Sequence, residues 1–432
     1  MKQYIPANHA VVDDRGAAGK THRRAQIRIL MYSHDTFGLG HLRRCSTIAH
    51  ALAGAFKDMH ILIVSGSQIA GAFNLKARVD FVKIPSVIKL YNGEYTSISQ
   101  HINIEETVEW RTKIIRSTAE SFEPDIFIVD REPLGLKQEL LPTLHSLKRR
   151  GCRLVVGLRD VLDDEEMLAT EWARNDTVQH IEHFYDDIWI YGTKDFWNPL
   201  QGLALPDGLK DRLTYTGFLR REIPAKVRNL ELLLPKSYNL VMAGGGDGGG
   251  PLMRSMIKAR AVDAKCHLPF VMVLGPFMRS EERVEIRQLA AADADIHVLD
   301  FVNQPEALIA GAAAVVGMAG YNTFCEILSF NKSAMLMPRL LPRREQLIRA
   351  RRAAECGLVD VLLPGEAENA AIVSARLLTL PHRPRPREAG AEFMLNGLES
   401  ICQRVRRFQA DACELGNNRG LSEPLIISSA RG

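Results

Sequence analysis

His41 follows two glycines, Gly38 and Gly40, in the stretch FGLGHLRRCSTIAHAL, just after the strand-forming run IRILMY. A neutral imidazole near its ordinary pKa can take a proton from a hydroxyl or from water. A strand that runs into Gly-x-Gly turns sharply into a helix and leaves backbone N–H groups facing a ligand. His41 is therefore a candidate base at the mouth of a sheet, the alternative being a histidine that only caps the turn. Asp130 ends DIFIVD, at the strand edge that faces the cleft in open α/β sheets. It is a candidate to orient His41 or to bind a hydroxyl, unless it is merely a turn-forming acid. Arg159 and Asp160 close RLVVGLRD in a comparable way. His180 and His183 in HIEH have helical i, i+3 spacing and no third ligand, so they read as surface and no metal site is expected.

The second half carries anion chemistry. LVMAGGGDGGGPL, residues 240–252, sets six glycines around Asp247 between a strand and a helical pattern. Backbone amides at Gly244, Gly245, Gly246 and Gly248, with the positive end of the following helix, would approach a phosphate closely. No G-K-[ST] follows, so this is not a Walker loop; a flexible connector is the plainer alternative. In VVGMAGYNTFCEILSF a strand ends near Gly317 and Gly320 makes the turn. Asn322 or Thr323 can cap the helix that follows, and Glu326 lies in its first turns. A carboxylate there can accept hydrogen bonds from both hydroxyls of a ribose, or simply complement the helix dipole. PRLLPRREQLIRARR gathers six arginines around Glu345 and Gln346. Arginine forks suit phosphates and Glu or Gln suits sugar hydroxyls. Arg349 to Arg352 read instead as a solvated helix face.

The elements that must position these residues alternate. RILMYS, HILIVSG, VDFVKIP, PDIFIVDRE, RLVVGLRD and DIWIYGT read as strands, with amphipathic stretches such as RRCSTIAHALAGAF and NIEETVEWRTKIIRSTAESF between them. After REIPAKVRNLELLLPKS, which has two prolines and no strand, the alternation restarts with YNLVMAG, FVMVLG, IHVLDFV, AVVGMAG and SAMLMPR. This predicts an α/β chain with two Rossmann-like domains, at residues 26–222 and 237–408, joined by a linker at 223–236. Residues 1–25 and 409–432 read as disordered tails.

With 432 residues, two domains are the default. A net charge of +4 is too small for a dedicated nucleic-acid binder, so no nucleic-acid partner is expected. Seven scattered cysteines with no C-x-x-C pair point to reduced thiols and a cytoplasmic location. No apolar run reaches transmembrane length and the polar start has no signal-peptide core, so any membrane contact would be peripheral.

Together these features resemble GT-B glycosyltransferases of the family 28 type. That type includes the N-acetylglucosaminyltransferase of peptidoglycan lipid synthesis and the diacylglycerol galactosyl- and glucosyltransferases. MAGGGDGGGP resembles the Gly-rich loop of the galactolipid synthases, and AGYNTFCEILSFNKSAMLMPR is similar to the family's nucleotide motif. The resemblance implies that Glu326 holds the ribose and that Gly320, Tyr321, Asn322 and Thr323 lie near the pyrophosphate. RREQLIRA sits where the family has its D-R-Q-Q segment, which implies Arg344, Glu345 and Gln346 at the donor sugar. TYTGFLRREIP is similar to the T-G-N-P-V-R segment that leads into the linker. The likeness covers residues 28–408 in architecture and is specific in the second domain. This chain departs at Arg343, where the family has Asp, at Glu345, where it has Gln, and at Phe218-Leu219.

The opening GLGHLRRCSTIA resembles the start of UDP-sugar hydrolases of the pseudaminic acid pathway, whose histidine activates water. The expectation is an inverting, metal-independent transfer of a sugar from a UDP-sugar to a lipid or saccharide hydroxyl. His41 would be the base and Asp130 its assistant. The UDP-sugar is substrate and no cofactor is expected; no D-x-D stands at a strand end. Hydrolysis or epimerisation of a UDP-sugar, or a non-catalytic nucleotide-sugar-binding subunit, are the alternatives.

Overall fold

The computed structural model describes residues 26–34, 40–68, 71, 75–89, 95–97, 102–223 and 234–418. The first half builds β1 (Ile27–Ser33), β2 (Met59–Ser65), β3 (Val79–Lys83), β4 (Val87–Lys89), β5 (Tyr95–Ser97), β6 (Ile126–Asp130), β7 (Arg153–Arg159), β8 (Asp187–Tyr191) and β9 (Leu213–Tyr215). Seven of these form one sheet in the order β3-β2-β1-β6-β7-β8-β9, every neighbour parallel. The second half builds β10 (Asn239–Met242), β11 (Phe270–Val273), β12 (Ile296–Leu299), β13 (Ala314–Gly317), β14 (Ala334–Leu336) and β15 (Asp360–Val361). Its order, β12-β11-β10-β13-β14-β15, is likewise all parallel.

Central strands such as IFIVD and AVVG are buried along their whole length. A parallel sheet is covered by helices on both faces, so its strands read as continuous apolar runs. In both sheets the strand order reverses beside the first strand, between β1 and β6 and between β10 and β13. A crevice opens at the carboxyl ends of the strands at such a switch point. The candidate residues flank these two crevices.

All eleven strands expected from sequence are present; four short ones are additional. The stretch IPSVIKLYNGEYTSIS carries the antiparallel pair β4–β5. Three-residue β9 and two-residue β15 are too short to show a period. The linker is described only outside residues 224–233; the expected tail at 1–25, and residues 419–432 of the tail expected at 409–432, lie outside the described residues. The last helix, Gly397–Asn418, corrects the C-terminal boundary: it runs past Phe408 into the stretch expected to be disordered. It packs on the first domain. Arg404 pairs with Asp187 of β8, and the Phe408 ring stacks 6.4 Å from Trp189. The chain thus crosses between the domains twice, and the crossings are tied: Phe218 N donates to Met394 O and Gly397 N to Phe218 O.

The six cysteines described are free, and no described helix is long and apolar enough to cross a membrane.

Candidate active site

The two crevices face each other across one cleft of about 1950 Å³. On the first-domain side, helix Gly40–Ala55 starts after β1 and carries His41 to the cleft, while Asp130 ends the adjacent β6. His41 Nδ1 lies 2.5 Å from Asp130 Oδ2. A carboxylate there accepts, so the network assigns the ring proton to Nδ1 and leaves Nε2 with its lone pair. Asp130 is in turn gripped by Arg44, Nε to Oδ1 at 2.7 Å and Nη2 to Oδ2 at 2.5 Å. Burial raises the Asp130 pKa, but Arg44 and then His41 outweigh it and hold the carboxyl below its usual range. Burial pushes His41 down to about 4 despite the pull of Asp130, with Arg44 and Arg131 also lowering it. At neutral pH the imidazole is uncharged.

Sequence reasoning missed Arg44, although its i, i+3 spacing from His41 puts both on one helix face. It also missed the support behind the histidine. The His34 ring meets His41 edge-on at 5.7 Å, and Tyr32 Oη lies 3.2 Å from His34 Nδ1. Tyr32 donates to Glu139 Oε1 at 2.5 Å, and Arg111 holds both oxygens of that carboxylate. All four groups are buried, and Arg111 and Glu139 are 77 and 105 residues from His34 in sequence, so only the fold reveals the chain of contacts.

On the second-domain side, the glycine loop between β10 and helix Gly250–Val262 lines the cleft through Gly244, Gly245, Gly246, Asp247 and Gly248. It is a shaped turn rather than a free connector. Gly246 has φ +99°, and a Cβ there would lie 2.6 Å from Met278 N. Helix Tyr321–Ser329 begins with Gly320 as its N-cap. Neither Asn322 nor Thr323 caps it, correcting that expectation. Asn322 instead bridges the domains, accepting from Arg221 Nη2 at 2.7 Å and donating to Gly40 O at 3.1 Å. The Tyr321 ring is buried between the guanidiniums of Arg44 and Arg349, 5.5 and 5.9 Å from its centroid.

Glu326 is fully buried and faces Arg43 of the first domain, Nη2 to Oε1 at 2.6 Å; Arg43 also reaches Glu306 at 3.0 Å. Oε1 is thus engaged by Arg43, while Oε2 has no partner among the described residues, and burial raises the Glu326 pKa against the charge of Arg43. Glu345 and Gln346 open helix Glu345–Glu355 and line the cleft. Gln346 Oε1 accepts from Arg339 N at 3.2 Å, and Glu345 Oε2 is buried without a partner.

Arg344 departs from expectation. Its side chain turns toward Asp164 at 3.7 Å, its N–H donates to Asp163 Oδ1 at 2.9 Å, and it does not line the cleft. Arg339 and Arg343 do. Arg349 is no solvated residue: it is wholly buried and grips Asp160 across the domains with bonds of 2.8 and 2.6 Å. Arg352 likewise reaches the first domain, donating to Phe196 O and Asp195 O. Of the predicted site residues, His41, Asp130, Gly40, the glycine loop, Gly320 to Thr323, Glu326, Glu345 and Gln346 converge on the interdomain region. Gly38 lies outside the described residues.

No known family profile matches the sequence, and no curated protein matches it. Solved structures do. The glycotransferase of kitacinnamycin superposes with a TM-score of 0.60 at 15% identity, over 89% of this chain and 99% of that one. MurG of Acinetobacter baumannii gives 0.54 at 12%, over 88% and 99%. A putative UDP-N-acetylglucosamine 2-epimerase from Listeria monocytogenes gives 0.60 at 13%, over 90% and 98%. At such identities the likeness defines the fold: this chain has the GT-B fold, two Rossmann-like domains facing across a cleft. Glycosyltransferases are prominent among the structures that share it.

Proposed function

We propose that the chain is an inverting glycosyltransferase that moves a sugar from a UDP-sugar to an acceptor hydroxyl. The observation that carries this reading is the His41–Asp130–Arg44 array at one crevice facing a glycine turn at the other. His41 Nε2 takes the proton of the acceptor hydroxyl as that oxygen attacks the anomeric carbon. Asp130 fixes the tautomer and offsets the positive charge gained by the ring, the role a carboxylate plays behind any histidine base.

The bond from the anomeric carbon to the diphosphate breaks as the new one forms on the opposite face. The leaving diphosphate goes toward residues 244–248 and the helix starts behind Gly250 and Gly320. Backbone N–H groups and aligned dipoles stabilise such charge without moving, which supports a metal-independent reaction. Glu326 holds the ribose through Oε2, which has no partner among the described residues, and through Oε1, which it shares with Arg43, while Glu345 and Gln346 take sugar hydroxyls. An amphipathic acceptor suits the cleft, because Ile88, Tyr95, Leu136, Met167 and Leu341 line it beside polar groups. Leu341, 77% exposed at the cleft, is the point we assign to peripheral membrane contact.

Hydrolysis is the second reading, since a neutral histidine with a free Nε2 activates water equally well. The test is release of UDP from a panel of UDP-sugars, in buffer and again with a bacterial lipid extract. Release only with the extract, with label passing into lipid, is the expected result. Release in buffer alone, matching donor consumption, makes the chain a hydrolase. Conversion to another UDP-sugar without free UDP makes it an epimerase.

A further inference from the structure

Among the described residues, Arg159 is an arginine of the cleft with no ion-pair partner. Arg159 ends β7 and lines the cleft. Asp130 stands opposite Gly157 in the β6–β7 register, so Arg159 lies two residues further along, at the same sheet edge as the His41 array. Among the described residues its guanidinium makes no hydrogen bond or ion pair, and its Nε is buried without a partner.

The arginines around it are engaged: Arg44 with Asp130, Arg349 with Asp160, Arg343 with Asp163 and Glu171, Arg131 with Glu132 at 3.5 Å. Burial, and then the charges of Arg131, Arg349 and Arg44, hold the Arg159 pKa well below the usual range; Glu345 alone works the other way. Glu345 makes no ion pair with Arg159, and its own Oε2 is unpartnered. An unpaired, partly desolvated cation costs free energy that a fold tolerates most readily where a ligand supplies the missing charge.

We propose that Arg159 is the receptor for an anionic group, a carboxylate or a phosphate, carried by one of the two substrates in addition to the donor diphosphate. The donor diphosphate is not the natural partner. The glycine turn that would receive it belongs to the second domain, whereas Arg159 projects from the first-domain sheet beside His41. A guanidinium fork matches both candidate anions by paired N–H donors. The group sits either on the transferred sugar, as in a hexuronate, or on the acceptor, as a phosphate ester. The inference rests on the cleft being the sugar-nucleotide site.

Calorimetric titrations separate the two sources. Wild type, Arg159→Gln and Arg159→Lys are titrated with UDP, UDP-glucose and UDP-glucuronate, and with glycerol 3-phosphate and glycerol in the presence and absence of UDP. The expected result is binding about ten-fold or more tighter for the anionic member of one pair. Arg159→Gln removes that preference, Arg159→Lys keeps part of it, and UDP binds all three proteins equally. A preference in the UDP-glucuronate pair places the anion on the donor; one in the glycerol 3-phosphate pair places it on the acceptor. No preference in either pair, or one that survives in Arg159→Gln, overturns the proposal. Failure of UDP to bind wild type overturns the nucleotide-sugar reading instead, and the glycerol 3-phosphate titration without UDP then decides the anion question.

Discussion

Arg43 of the first domain reaches Glu326 of the second at 2.6 Å, so the carboxylate proposed to take a ribose is already in contact across the cleft. Ribose hydroxyls must compete with that cation. Arg43→Ala is therefore expected to bind UDP more tightly than wild type. Glu326→Gln, which loses charged hydrogen bonds worth about 1.5–3 kcal/mol each, is expected to weaken UDP binding by on the order of ten-fold or more. Weaker UDP binding by Arg43→Ala would show that Arg43 assists the nucleotide instead of competing with it.

His41→Ala is expected to lower turnover by about 10²- to 10⁴-fold, the span attributed to a positioned base. The UDP dissociation constant should stay unchanged, because the proposed nucleotide site belongs to the second domain. Unchanged turnover would remove His41 from the chemistry.

The acid side of the rate profile should lie low. With the His41 pKa pushed down to about 4, the base stays neutral well below the ordinary value of 6.5. Turnover is thus expected to persist at pH 5.5. Arg44 lowers that pKa and Asp130 raises it, so Arg44→Met should move the acid limb upward and Asp130→Asn should move it downward. Asp130→Asn should also slow the reaction through the wrong tautomer. A limb near pH 6.5 in wild type would contradict the burial of the ring.

Stability should fall with acid over a defined window. Burial depresses His34 to about 3, and His41 and His50 to about 4, from 6.5. Between pH 6.5 and about 4 the unfolded chain binds protons that the folded chain refuses, so each group's stabilisation is present above 6.5 and lost on descending through that range. Urea unfolding at pH 7, 5.5 and 4.5 measures the slope. A His34→Gln protein should show a shallower one, and an unchanged slope would mean that His34 does not contribute.

Arg349 and Asp160 form a buried pair across the domains. Arg349→Met leaves Asp160 buried and uncompensated, a defect of about 3–5 kcal/mol. Thermal unfolding should register it as a large loss of Tm, whereas Arg351→Met, at an exposed position, should change little. Equal effects would mean that the pair does not hold the interface.

The alternation of apolar runs with amphipathic stretches was enough to locate the strands of both sheets. The reason is local: a strand buried on both faces must be apolar throughout, and a helix covering it must carry one apolar stripe. Short-range chemistry was equally legible in the turn between β10 and its helix, where a left-handed φ such as that of Gly246 demands glycine. His41 after Gly-x-Gly and Asp130 at a strand end were visible for the same reason, since their places depend only on where a strand stops. The partners of these residues were not legible. Arg44 meets Asp130 across 86 positions, Arg349 meets Asp160 across 189, and Arg43 meets Glu326 across 283. No period or spacing encodes such pairs, because they depend on how two sheets are set against each other. For this reason a run of arginines with the composition of a solvated helix became an interdomain clamp, while Arg159 has no ion-pair partner among the described residues.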